Sequence, residues 1–374
     1  MRLKKVIELI PVFILSIFSI TLFAALPNIM AAEKNSCISY NSQVNEISIS
    51  CKNVQLKDIS NSLGGDKSIL YQESSNALEK NWILKAGITV NKDATLNIDS
   101  DDVTWLKIVP RPAQPNPIKV DGSLNIDSVK ITSWNLQTND YVQFSEATKY
   151  DELQYMKELR PYIKINSGAT GPTIIQNSEL AYLGDCSLKI DNGCSGATGG
   201  VTFNGGKYSI LKNNDIHHIF KGFYSKGMGY MLIEGNRVHN NHKYGIDPHS
   251  GTHDMNITNN WVHHNPLGII CSLDCYNILI EGNRVEHNTD YGIFFSRNMH
   301  DSIARNNYVY NSTTGIAVAE SPNNQIYNNT IEGATEEGIL LFTPDIPDDG
   351  LTVGNIAYNN IISDSDNGIR STKS

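Results

Sequence analysis

Positive charge is scarce in this chain. Against 39 Asp and Glu it sets only 30 Lys and Arg, for a formal charge of −9. Loss of residues 1–32 would remove three basic residues and one acidic one, leaving the remainder more acidic still. A broad basic field for nucleic acid or an anionic membrane is thereby excluded, and an anionic ligand would need a locally basic groove. CxxC and HExxH do not occur, which removes the commonest dithiol and zinc signatures. Leucine frames and a 3.6-residue apolar period are also missing, so leucine-rich and helical repeats are excluded. No Pro-, Gly- or Ser-rich linker divides the chain, so one mature domain is the economical assignment. At 374 residues it is too long for one ordinary globular core but normal for a repeat protein. An apolar content of 40% with 18% charged fits a folded chain.

The N-terminus combines Arg2, Lys4 and Lys5 with a mostly apolar run from Val12 to Leu26 and small residues at Met30-Ala31-Ala32. Residues 1–32 read as a secretory signal peptide or, if uncleaved, an N-terminal anchor. The expectation is an exported protein: extracellular, at the cell surface, or periplasmic. It meets a membrane only if that segment stays attached. All six cysteines follow the signal, and an even count in an exported chain favours disulfides. Neighbouring pairs 37–51, 186–194 and 271–275 are the simplest of the fifteen pairings.

From about residue 200 two markers recur in phase. Asn214, Asn236, Asn260, Asn283, Asn307, Asn329 and Asn360 each precede a short run rich in β-branched or aromatic residues. Gly222, Gly245, Gly268, Gly292, Gly315, Gly338 and Gly368 keep step, with an insertion near 343–351 in the last interval. Short β-branched and aromatic runs between Asn, Gly and His turns are strands. Strands repeating every ~23 residues, three to a turn, describe a parallel β-helix, right-handed as parallel crossovers generally are. The fold class is therefore all-β, a solenoid over 91–374 with 33–90 as an N-terminal cap. Insertions at 139–159 and 184–202 interrupt the coils. Asn is expected to take left-handed bends and to ladder its amide from coil to coil.

Strand alternation sorts the positions after each glycine. One past it stand Phe223, Ile246, Ile269, Ile293, Ile316 and Ile339, an apolar ladder that must face inward. Two past stand Tyr224, Asp247, Ile270, Phe294, Ala317 and Leu340, and four past stand Lys226, His249, Ser272, Ser296, Ala319 and Phe342, all facing outward. Asp247 and His249 thus share one outer face, with Lys226 stacked one coil earlier and Arg297 two coils later. His242 and Tyr244 flank the same strand. Most of the other histidines are expected as solvated turn residues. Imidazole, phenol, carboxylate and cations on one solenoid face suit an anionic sugar polymer.

The hexapeptide Tyr244-Gly245-Ile246-Asp247-Pro248-His249 resembles the Tyr-Gly-(Ile/Phe)-Asp-Pro-His signature of the mannuronan C5-epimerases, the periplasmic type in particular. Thr132–Asn135, Arg160–Ile163, Asn177–Gly184 and Phe295–Arg297 followed by Asp301-Ser302 also look like that family, so the resemblance runs over roughly 90–340. The family usually has an acidic residue where this chain has Ser250, and the coil after the motif, 268–273, carries no arginine. The resemblance implies inversion at C5 of uronate residues in a polymer, by proton abstraction and reprotonation. It implies His249 or His242 as one acid–base group, Tyr244 as the other, and Asp247 orienting an imidazole or contacting the sugar. Lys226 or Arg297 would neutralise the carboxylate. Tyr224, Ser272 and Ser296 would line the binding face. The chemistry needs no cofactor; Ca²⁺ could assist, though no ligand cluster stands out and no metal ligands are assigned. A monomer acting on an anionic polysaccharide, with no nucleic-acid partner, is expected. Two alternatives share these residues: a polyuronate lyase, which passes through the same intermediate, and a non-catalytic carbohydrate-binding or surface β-helix.

Overall fold

The computed structural model describes residues 37–73, 79–111, 114–144, 159–186, 188–190, 193–195, 199–343 and 350–372. The N-terminal 1–32 segment lies outside them, as do much of the 139–159 and 343–351 interruptions and part of 184–202.

One coil shows how the sequence folds. Strand Tyr244–His249 runs along a first sheet, the chain bends, and His253–Thr258 runs along a second. It bends again at Asn259-Asn260 into Trp261–His263 on a third sheet, then returns as Leu267–Ser272, parallel to Tyr244–His249. Among the described residues, repetition builds sheets of 13, 10 and 12 strands, a right-handed parallel β-helix. Each coil rises by one inter-strand spacing, about 4.8 Å.

Inside, like stacks on like. Phe223, Ile246, Ile269, Ile293, Ile316 and Ile339 pair in unbroken register and are fully buried. The third sheet adds Val238, Val262, Val285, Val309 and Ile331, and the second adds Ile233, Ile257 and Ile280. At about 1.5–3 kcal/mol per buried aliphatic side chain, these ladders supply most of the drive to stack.

The bends use asparagine twice, for two different jobs. The left-handed position falls to Asn213, Gly235, Asn259, Gly282, Asn306, Asn328 and Asn359. The next residue is the ladder asparagine. Asn214, Asn236, Asn260, Asn283, Asn307 and Asn329 each donate backbone N–H and Nδ2 to the Oδ1 of the next rung, at 2.9–3.0 Å. The expectation that one asparagine does both is corrected here, for a physical reason. The ladder amide must point into the dry interior, whereas the left-handed residue turns the chain at the surface.

At the N-terminal end, hairpin Ile38–Asn41 and Glu46–Ile49 is closed by a Cys37–Cys51 disulfide, and helix Leu56–Ser62 buries Leu56 and Ile59. Glu46–Ile49 already pairs in parallel with Gly87–Val90, so coil stacking begins within the 33–90 segment. Cys186 is disulfide-bonded, while the side chain of Cys194 lies outside the described residues. The expected 271–275 bridge is wrong: both thiols are free and buried. Cys271 stacks on Phe295 in the core, and the Cys275 sulfur turns to the Ser272 carbonyl at 3.3 Å, so each acts as a small core residue.

Candidate active site

The motif strand owes its geometry to Gly245. A Cβ there would lie 2.6 Å from both the Gly268 carbonyl oxygen and Val262 Cγ1, so the position faces inward. Ile246 also faces inward, so alternation restarts at the glycine. The residue before it and the residue two after it therefore share the outer face. Equivalent coils show the contact directly: Lys221 Nζ sits 3.7 Å over the Tyr224 ring, and the Tyr291 and Phe294 rings stack at 4.3 Å. In the motif coil these positions are Tyr244 and Asp247.

Asp247 takes the outward position that alternation assigns it, yet it is fully buried. Its neighbours are larger than itself: Tyr224 is its register partner one coil earlier, and Tyr244 precedes it on its own strand. Neither carboxylate oxygen has a hydrogen-bond partner among the described residues. Burial raises its pKa, opposed by Lys221, Lys243 and Arg297. The same burial lowers that of Lys221, against the pull of Asp247. Burial, then the Asp247 charge, pushes the Tyr224 phenol up to about 12 and that of Tyr244 higher still, so both keep their protons at neutral pH.

His249 ends the strand, half-buried, with its ring 5.4 Å from that of Tyr224. Its Nδ1 lies 2.6 Å from Ser250 Oγ, and its Nε2 lies 3.2 Å from an Arg297 Nη. Guanidinium only donates, so Nε2 must accept, and Nδ1 carries the hydrogen that Ser250 receives. The hydroxyl of Ser250 thus orients the imidazole. Burial, then Arg297, lowers the His249 pKa to about 4, leaving a neutral base with its lone pair on Nε2.

Arg297 stands at a left-handed bend, φ 53°, in the column of Ser250 and two coils away from it. Its side chain crosses the intervening coil, anchored on Ser272 Oγ by Nε at 3.0 Å and Nη at 2.7 Å. A cation missing from the next coil is thus supplied from the one after. Ser296 is buried in register with Ser272, and Lys226 is exposed in register with His249.

His242 is set apart. Its ring stacks on Phe144 at 4.0 Å, and burial, then Arg160 and His218, lower its pKa even though its own surface is exposed. Among the described residues no hydrogen bond or ring contact joins it to His249. Lys221 and Lys243 are the site residues that sequence reasoning passed over, and Ser250 entered it only as a departure from a motif. Lys221 was findable, since it precedes Gly222 as Tyr244 precedes Gly245.

Fold and site together define a parallel solenoid whose outer face gathers an imidazole, two phenols, a guanidinium and a buried carboxylate. The chain matches the family described as right handed beta helix region over residues 163–298 and 250–374, and it belongs to that family. It is 26% identical over 152 residues to a mannuronan C5-epimerase of Pseudomonas fluorescens, a match taking in 38% of this chain and 26% of that relative's length. Among solved structures it resembles the periplasmic alginate epimerase AlgG at 19% identity and a TM-score of 0.66, over 87% of this chain and 85% of that one. A double mutant of AlgG gives 21% identity and 0.69, over 88% and 73%. The A-module of Azotobacter vinelandii mannuronan C-5 epimerase AlgE4 gives 15% and 0.51, over 79% and 89%. Those structural likenesses establish the fold.

Proposed function

We propose that this chain is an exported polysaccharide isomerase that inverts C5 of uronate residues in a mannuronan-like polymer. The observation that carries the proposal is the His249 tautomer: a neutral imidazole whose Nε2 lone pair accepts from the Arg297 guanidinium, with the protonated phenol of Tyr224 beside it. The match to a relative named mannuronan C5-epimerase supports it.

The C5 proton lies α to a carboxylate and is weakly acidic. Arg297, with Lys221 or Lys226, neutralises that carboxylate and lowers the cost of the enolate-like intermediate. His249 Nε2 takes the proton, and the C5–H electron pair moves into the carboxylate. Tyr244 Oη then delivers a proton to the other face of C5, and solvent restores both groups. Asp247, buried beneath that face, acts from behind it: together with burial, its charge keeps the Tyr224 and Tyr244 phenols protonated. Ser250 holds the imidazole in its reactive tautomer.

The test is NMR of mannuronan treated in D₂O. New guluronate carrying deuterium at C5 is the expected result. An unsaturated product absorbing in the ultraviolet would instead make the chain a lyase that expels the 4-O-linked sugar. Binding without exchange or cleavage would leave only the carbohydrate-binding role.

A further inference from the structure

The bend after the first sheet repeats a left-handed position in every later coil. In register it is held by Tyr208, Tyr230, Asp254, Asn277, Asp301 and Asn323, with φ between 50° and 65°. Asp and Asn tolerate that conformation, whereas a bulky aromatic is an outlier there. The two tyrosines gain little burial in exchange: Tyr208 is 71% exposed and Tyr230 43%. Folding stability therefore does not account for them.

Tyr208 lines a cavity of about 430 Å³ at the same corner, to which the coil of Tyr230 contributes Gly229. Its walls come from four successive coils, from Gly171 through Asn204 and Gly227 to His253. It thus extends about 14 Å along the axis from the motif coil, at one strand spacing per coil. Gly227 follows Lys226, and its N–H donates to the Ser250 carbonyl at 3.0 Å, so the rim of the cavity adjoins the strand ends that carry Lys226 and His249. One face of the Tyr208 ring stacks on Tyr230 at 5.6 Å. Lys207 is the one lysine or arginine in the lining, which holds no Asp or Glu, and its Nζ lies 5.4 Å over the Tyr230 ring. The buried Asn204 Oδ1 has no partner among the described residues.

From this we infer that the corner is a distal binding subsite for the polysaccharide chain, in which a uronate ring stacks on Tyr208 and its carboxylate meets Lys207. The inference rests on the polyuronate substrate proposed above. It assigns the corner to holding the polymer, not to chemistry.

Calorimetric titration of the full chain with a mannuronan trisaccharide and with long mannuronan, alongside the D₂O exchange assay, tests it. Tyr208→Asn installs the residue type that later coils use, so its melting temperature should not fall. Affinity for long chains should weaken about tenfold, while trisaccharide affinity and exchange at saturation stay at parental values. Lys207→Ala should weaken long-chain binding and reduce its salt dependence. Long-chain affinity within about twofold of the parent in Tyr208→Asn overturns the subsite and leaves the proposed activity standing. If the parent binds long chains without exchanging C5, the activity fails, and the subsite is judged by the Tyr208→Asn affinity alone. A parent that binds no mannuronan overturns both.

Discussion

Consider Asn260→Ala, one rung in the middle of the amide ladder. Asn260 Nδ2 donates to the Ile233 carbonyl and to Asn283 Oδ1, both at 3.0 Å, and its Oδ1 accepts from the backbone N–H and Nδ2 of Asn236, both at 2.9 Å. Alanine removes all four bonds. Asn236 and Asn260 are each 1% exposed, so water cannot replace them. The Asn236 N–H and one Nδ2 hydrogen are left buried and unmet, the other still reaching the Leu211 carbonyl at 2.8 Å, and the Ile233 carbonyl loses a donor. At roughly 1–3 kcal/mol per stranded group the loss comes to about 4 kcal/mol. The terminal rung Asn360 is the control. It accepts from Asn329 and donates to Ile326, but it is only half-buried, so water takes over and Asn360→Ala should cost about 1 kcal/mol. Urea unfolding followed by circular dichroism measures both, and hydrogen exchange at the Asn236 amide localises the effect. Equal costs near 1 kcal/mol for the two variants would refute the idea that the ladder works as a dry, continuous chain.

Other outcomes are as definite. His249→Gln and Tyr244→Phe should each lower C5 exchange by roughly 10²–10⁴-fold while leaving the melting temperature nearly unchanged, measured by D₂O NMR and calorimetry. Arg297→Ala should lower the exchange rate at saturation, and Ser272→Ala should do the same to a smaller degree, because Ser272 only anchors the guanidinium. His249 and His263 are both held to about 4 when folded, His263 by burial and then His239. The unfolded chain takes up those protons near its ordinary value of about 6.5. Stability should therefore be complete above that pH and fall as pH drops from 6.5 toward 4, as followed by melting temperature across buffers. Burial raises the Cys271 thiol well above its usual value and that of Cys275 to about 12, so a thiol reagent should reach them only in denaturant.

The fold was legible because it repeats. Two markers in phase, Asn and Gly, fix the coil length, and period-two alternation then assigns the isoleucines of 246, 269, 293, 316 and 339 to the interior. What failed to be legible is what depends on side chains from other coils. Asp247 faces outward by alternation, but whether it is exposed depends on Tyr224, a register neighbour 23 positions away. Arg297 reaches His249 across 48 positions through Ser272, which no local pattern encodes. The division of labour at Asn259 and Asn260 was visible as a doubled Asn, yet its meaning needed backbone angles. The 271–275 bridge looked simple by proximity and fails because the interior there needs small apolar groups more than a crosslink.

The restart of alternation at the glycine makes every coil a copy of one three-position template: the residue before the glycine, and those two and four after it. The next-but-one coil already presents Tyr291, with Phe294 and Ser296 where the motif coil has Asp247 and His249. A solenoid of this kind is a ruler graduated in coils. Relocating chemistry along it requires no new backbone, only the exchange of a few side chains in one coil together with the cation two coils on. Evolution, or an engineer, can therefore slide a site along the outer face in steps of about 4.8 Å, leaving the glycines and asparagines that hold the scale untouched.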